Sequence, residues 1–203
     1  MNRIVETAKK AEKIFRQHGG MLRTSQAIKL GIHPRTLYQL NNDNRLIQLS
    51  RGVYRLASLP EVLQPDLVVV ASKLPNAVIC LISALAFHEI TTEIPHEVSI
   101  ALPHGARTPR LEPLPIRAFR FSAETLSAGV ETHRLDGVDI KVFSPEKTVA
   151  DCFKFRNQIG LDVALEALKL CLQRKRSQPK KLLEYARLCR VEKIMRPYLE
   201  ALA

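Results

Sequence analysis

The chain has 203 residues, 46% of them apolar and 25% charged, a composition that excludes a disordered or fibrous protein and leaves room for one large domain or two small ones. Its cysteines, Cys80, Cys152, Cys171 and Cys189, form no Cys-x-x-Cys pair and have no histidine at metal-ligand spacing, which speaks against a disulfide framework or a zinc site and for reduced thiols in a cytoplasmic protein. The formal charge of +11 is unevenly spread: residues 1–58 hold 11 Lys and Arg against 3 Asp and Glu, residues 59–145 hold 7 against 10, and residues 146–203 hold 13 against 7.

Two basic ends around a mildly acidic middle imply a polyanion as partner. The opening MNRIVETAKKAEKIF has no apolar run, unlike a signal peptide. The longest apolar stretch, 77–87, is far too short to span a bilayer, so no membrane role is expected.

Ile4, Ala8, Ala11 and Phe15 recur at helical spacing and predict an amphipathic helix over 3–17, ended by Gly19-Gly20. The stretch MLRTSQAIKLGIHPRTLYQLNNDNRLIQLSRGVYRL, 21–56, then has the pattern of a helix-turn-helix and a β-hairpin wing. Thr24 or Ser25 caps a short helix to Leu30. Gly31 supplies the tight turn. His33-Pro34 opens a second helix over 34–42, with Pro34 where a missing N–H costs nothing.

Ala27 lets the two helices approach closely, and Leu30, Ile32, Leu37 and Leu40 share a buried side. Arg35, Thr36, Tyr38, Gln39 and Asn42 are left on the other side, long hydrogen-bonding groups of the kind that read base edges in a major groove. Residues 46–50 and 53–56 alternate as strands around the turn Ser50-Arg51-Gly52. Arg51 at the tip and Arg55 on the return strand are expected to meet phosphate or a minor groove. The expected DNA-binding set is therefore Thr24, Ser25, His33, Arg35, Thr36, Tyr38, Gln39, Asn42, Arg51 and Arg55.

Ser58-Leu59-Pro60 closes a first domain over 1–58, and 59–64 is a linker. The second domain, 65–203, is expected to be mixed α/β and to end in helices, which makes the whole chain α+β. Helices are predicted over 65–73 and 77–90, the latter with a short strand at Val78-Ile79, and strands over 98–102 and 116–121. Residues 130–135 and 138–143 flank Asp136-Gly137, a strong hairpin signal. Ser144-Pro145 caps and opens a helix to 155, followed by helices over 161–173, 179–188 and 191–202.

Motifs for an enzyme are sparse: there is no Gly-rich phosphate loop, nucleophile elbow or His-Glu-x-x-His. His88 lies in an apolar segment, where a packed ring is the ordinary role. Asp139-Ile140-Lys141, with Glu131 opposite, has the form by which metal-dependent nucleases hold Mg²⁺ and a lysine. The same residues also suit a strand with Asp139 and Lys141 in water and Val138, Ile140 and Val142 in the core. The principal expectation is thus no enzyme and no cofactor, with a Mg-dependent DNA nuclease as the alternative. Arg174, Lys175, Arg176, Lys180 and Lys181 flank Pro179 and are candidate partner or phosphate contacts.

LRTSQAIKLGIHPRTLYQLNNDNRLIQLSRGVYRLAS resembles the winged-helix domain of AbiEi-type antitoxins, the regulators of type IV toxin–antitoxin systems. The carrying motif is Leu-x-x-x-x-Arg-Gly-x-Tyr-Arg, matched from Leu46 to Arg55. Leu81-Ile-Ser-Ala-Leu85, Ile94-Pro95 and Phe143-Ser-Pro-Glu-Lys-Thr-Val-Ala-Asp151 extend the resemblance more diffusely over nearly the whole chain. It implies a repressor that binds double-stranded repeats in its own promoter. It further implies an antitoxin opposing a nucleotidyltransferase-type toxin, commonly in phage defence. A stand-alone regulator without a toxin is the variant of the same theme.

Overall fold

The computed structural model describes residues 2–173 and 178–202, and they fall into two compact units. The first takes Met1–Pro75 and His133–Ile140, the second Asn76–Thr132 and Lys141–Ala203. Among the described residues no helix is long and apolar enough to cross a membrane.

The first unit opens with α1 (Asn2–Gln17), followed by β1 (Met21–Arg23), α2 (Thr24–Lys29), α3 (Pro34–Asn42), β2 (Leu46–Ser50) and β3 (Val53–Leu56). The strands form an antiparallel sheet in the order β1-β3-β2. β1 is an addition to the sequence expectation, because three residues are too few to show a period. Its pairing makes β3 the central strand, and all of β3 is buried. Phe15, Ala27, Leu37, Leu40, Leu46 and Leu56 share one core, each large side chain contributing about 1.5–3 kcal/mol by leaving water. Leu30, expected among them, is 37% exposed, because it is the residue on which α2 ends.

α1, α2 and α3 stop in the same way. Gly20 N–H reaches Phe15 O at 2.7 Å, Ile32 N–H reaches Ala27 O at 2.9 Å and Arg45 N–H reaches Leu40 O at 2.9 Å. The residue before each donor is left-handed: Gly19, Gly31 and Asn44, with φ of 79°, 86° and 54°. This is the Schellman closure, which satisfies the last carbonyls and costs glycine no strain. Gly31 thereby fixes the turn between α2 and α3.

The unit does not close at Ser58. α4 (Pro65–Lys73) belongs to it, lies against β2 and buries Leu67 through Ala71. The Asp136-Gly137 turn belongs to it as well. A Cβ on Gly137 would come within 2.6 Å of Gly19 O, so the turn packs directly on the end of α1.

The second unit contains β4 (Val78–Ile79), α5 (Leu81–Phe87), β5 (Val98–Pro103), β6 (Ile116–Phe121) and α6 (Ala123–Ser127). β7 (Val130–Leu135) and β8 (Val138–Phe143) follow, their residues from His133 to Ile140 grouping with the first unit. Then come α7 (Pro145–Lys154), α8 (Arg156–Ile159), α9 (Leu161–Gln173), α10 (Pro179–Leu188) and α11 (Glu192–Leu202). The strand order is β6-β5-β4-β8-β7, with β5 parallel to β6 and β4 parallel to β8. The helix expected over 77–90 is shorter: β4 precedes it, and it ends at His88. α6 and α8 are additions, α6 being capped by the Ser122 side chain, which accepts from Thr125 N–H.

α7 is the centre of this unit. Ser144 accepts from Lys147 N–H at 3.3 Å, and every residue from Glu146 to Phe153 is buried. Lys147 and Asp151 are both 0% exposed, and Nζ donates to Oδ2 at 2.5 Å. The same Nζ stands 4.2 Å from the centre of the Phe143 ring, a cation–π position. Cys189 Sγ donates to the other Asp151 oxygen at 3.2 Å. Burial pushes the Asp151 carboxyl up, and the Lys147 charge pulls it back down. Burial also pushes the Cys80 and Cys152 thiols well up, and Cys189 to about 12. All four cysteines are buried thiols outside any disulfide, and the raised pKa values of Cys80, Cys152 and Cys189 suit thiols that pack rather than react.

Candidate nucleic-acid interface

α3 is a polar helix with an apolar edge. His33 caps it, its Nδ1 accepting from Arg35 N–H at 3.1 Å, and Pro34 occupies the first turn. Leu37 and Leu40 turn into the core, which leaves Arg35, Tyr38, Gln39 and Asn42 exposed and Thr36 half-buried. Tyr38 is 60% exposed, far more than a ring of that size needs for packing. His33, Arg35, Thr36 and Gln39 border a cleft of about 410 Å³ along α1. Arg51 is exposed at the hairpin turn between β2 and β3.

The start of α2 differs from expectation. Neither Thr24 nor Ser25 caps it. Arg23 is the capping position, and its N–H donates to Gln26 Oε1 at 3.0 Å. Thr24 instead donates its hydroxyl to Gly52 O at 3.4 Å, tying α2 to the wing turn, while Ser25 is exposed. Lys29, absent from the expected set, is exposed at the end of α2. It is a basic side chain on the first helix of the motif, so its signal was there to read. Among the described residues neither Arg35, Arg51 nor Lys29 has an acidic partner. Burial pushes the Tyr54 phenol up, with a smaller contribution from Tyr38.

Arg55 corrects the expectation most sharply. It is 3% exposed. Its guanidinium donates to Leu59 O at 3.4 Å, to Pro60 O, and to Asp136 at 3.1 Å. A side chain so enclosed has nothing to offer a phosphate, and it leaves the contact set. Its job is internal, holding the chain after β3 and the Asp136 turn.

The nuclease arrangement finds no support in the geometry. Asp139 is engaged by Arg134 at 2.8 Å, both open to solvent, and among the described residues no cluster of three or more His, Cys, Asp or Glu side chains is placed to hold a metal. Of the second basic segment, Lys180 and Lys181 are exposed at the start of α10. Arg174, Lys175 and Arg176 lie outside the described residues.

The fold is similar to that of the RV2827C protein from Mycobacterium tuberculosis, whose crystal structure superposes with a TM-score of 0.54 at 12% identity, covering 94% of this chain and 79% of that one. At that identity the likeness is one of fold. Among curated proteins none matches the chain. Residues 9–57, which run from α1 through α2, α3 and the hairpin, match the family model described as transcriptional regulator, AbiEi antitoxin.

Proposed function

We propose that the first unit is a winged helix-turn-helix that binds double-stranded DNA sequence-specifically, with α3 in the major groove and Arg51 on the backbone. The observation that carries this is α3 itself. A helix of nine residues, about 14 Å long, buries Leu37 and Leu40 and turns Arg35, Tyr38, Gln39 and Asn42 outward. Those donors and acceptors match base edges, and the groove is about 12 Å wide. Thr24, bonded to Gly52, supports the wing rather than the DNA. The AbiEi-type match over residues 9–57 favours a regulator that acts on repeats in its own promoter. On the same basis it is the antitoxin to a nucleotidyltransferase-type toxin.

Fluorescence anisotropy with a duplex from the chain's own upstream region tests the DNA-binding half. Affinity for that duplex should exceed affinity for scrambled DNA by about 10³ or more at physiological salt. Arg35→Ala should weaken operator binding by about 1–3 kcal/mol and scrambled DNA by much less. Equal losses on both duplexes would make Arg35 a phosphate contact and sink base reading. Co-expression with a neighbouring nucleotidyltransferase tests the other half. Growth should be restored by this chain, and toxicity that persists would leave a regulator with no antitoxin role.

A further inference from the structure

We propose that α1 contributes a phosphate contact to the DNA surface: Lys10 holds the backbone of the strand that runs beside α3, an inference that rests on the DNA binding proposed above. α1 packs against α3, and the two share a cleft of about 410 Å³. Thr7 and Ala8 line it from α1, and Arg35, Thr36 and Gln39 line it from α3. α1 therefore borders the outer, polar side of α3 and not only its buried leucines. Packed helices lie about 8–10 Å apart. With a helix centred in a major groove about 12 Å wide, the sugar-phosphate walls stand about 6 Å to either side. A helix packed beside α3 meets one of those walls.

Lys10 is the cation on that side. It lies three residues beyond Thr7, and residues at that spacing share a helix face. It is exposed and has no acidic partner among the described residues. The acids of α1 are Glu6 and Glu12. Glu12 is engaged by Arg45 at 2.6 Å. Glu6 is exposed one turn before Lys10, and a single open pair at that spacing is too weak to keep a lysine from a phosphate. Lys9 is exposed as well, but it lies two residues from Thr7, a spacing that puts it on another side of the helix. Ala8, Ala11 and Phe15 are buried, which fixes α1 about its axis and keeps the two lysines from exchanging places. They carry the same charge on different sides, so Lys9 is the control for Lys10.

The test measures binding of the full chain by fluorescence anisotropy, to the upstream duplex and to scrambled DNA, at several salt concentrations. Lys10→Ala should weaken both duplexes alike, by about five- to tenfold at about 0.1 M salt. The slope of log K against log salt should become shallower by about one unit, since one counterion fewer is released. Lys10→Arg should restore the behaviour of the parent, and Lys9→Ala should leave the slope unchanged. Ethylation interference on the upstream duplex should reveal one phosphate whose modification weakens the parent and Lys10→Arg but not Lys10→Ala. Both lysines are exposed, so the melting temperature should not move in any of the variants. A Lys10→Ala slope equal to the parent's, with Arg35→Ala still costing operator affinity, overturns the contact and leaves the DNA reading standing. An equal loss of slope in Lys9→Ala also overturns it, because α1 would then act as a diffuse positive field. A parent chain that does not prefer the upstream duplex overturns the reading itself, and the contact with it.

Discussion

α3 and α7 both begin with a proline directly after a capping side chain: His33-Pro34 in one, Ser144-Pro145 in the other. Their environments are opposite. α3 buries two leucines and gives its polar groups to solvent. α7 buries eight consecutive residues, a lysine and an aspartate among them. The start signal is the same because it is local, a matter of the first turn's free N–H groups. What the helix does afterwards depends on what packs around it. On α3 the polar side chains are kept outside, while on α7 Lys147 and Asp151 are spent on each other.

The sharpest way to break that contrast is to remove one member of the buried pair. Lys147→Met leaves the Asp151 carboxyl without its cation in a site closed to water. The expected loss is about 3–5 kcal/mol of unfolding free energy, measured by urea denaturation. Lys147→Met combined with Asp151→Leu should recover most of it, since an apolar pair of similar volume avoids the desolvation of both charges. A single variant as stable as the parent would show that the pair is not closed to water at all.

Arg51 and Arg55 restate the contrast within one hairpin. Only four positions apart, both belong to the motif that carries the family resemblance, and the sequence offers no means of telling them apart. Their fates are decided by β1. Because Met21–Arg23 pairs with β3, Arg55 sits on a central strand and is enclosed, while Arg51 stays at the tip. Arg55→Met should cost about 2 kcal/mol of stability, less than a fully buried pair because Asp136 is half-buried. It should leave the salt dependence of DNA binding unaltered. Arg51→Ala should do the reverse. Stability should stay within about 0.5 kcal/mol, and the slope of log K against log salt should become shallower by about one unit. If the two variants exchange these effects, the assignment of inside and outside is inverted.

What is legible in the sequence is what local pattern encodes. Leu37 and Leu40 with Pro34 and Gly31 mark α3 and its turn, and Asp136-Gly137 marks the hairpin. Membership of a unit is a different kind of fact. Ser58-Leu59-Pro60 looks like an ending and assigns α4 to the second domain, yet α4 packs against β2. Residues 133–140 join a unit whose other residues lie more than fifty positions away. Non-local pairings of this sort leave no periodic trace. The Lys147–Asp151 pair does leave one: two charges at i and i+4 among Val149, Ala150, Cys152 and Phe153. Opposite charges at that spacing usually mark an exposed face, and here the apolar neighbours are the better guide.

The smallest effect lies on α9, where a carboxylate is bonded without being sealed in. Glu166 accepts from the Thr92 hydroxyl at 2.6 Å, from Thr92 N–H at 3.2 Å and from the Thr91 hydroxyl at 2.9 Å. These bonds favour the ionised form and hold the carboxyl below its ordinary range, the Thr92 hydroxyl foremost. A carboxyl with a depressed folded pKa adds stability above its unfolded pKa of about 4.3 and loses it as pH falls through the folded value. Glu166→Gln should therefore be less stable than the parent at neutral pH, and the difference should shrink as pH falls below about 4. Urea midpoints for both proteins at successive pH values measure it. A difference that stays constant across that range would mean that the amide variant loses shape complementarity rather than charge, and that the acid limb of stability arises at another carboxylate.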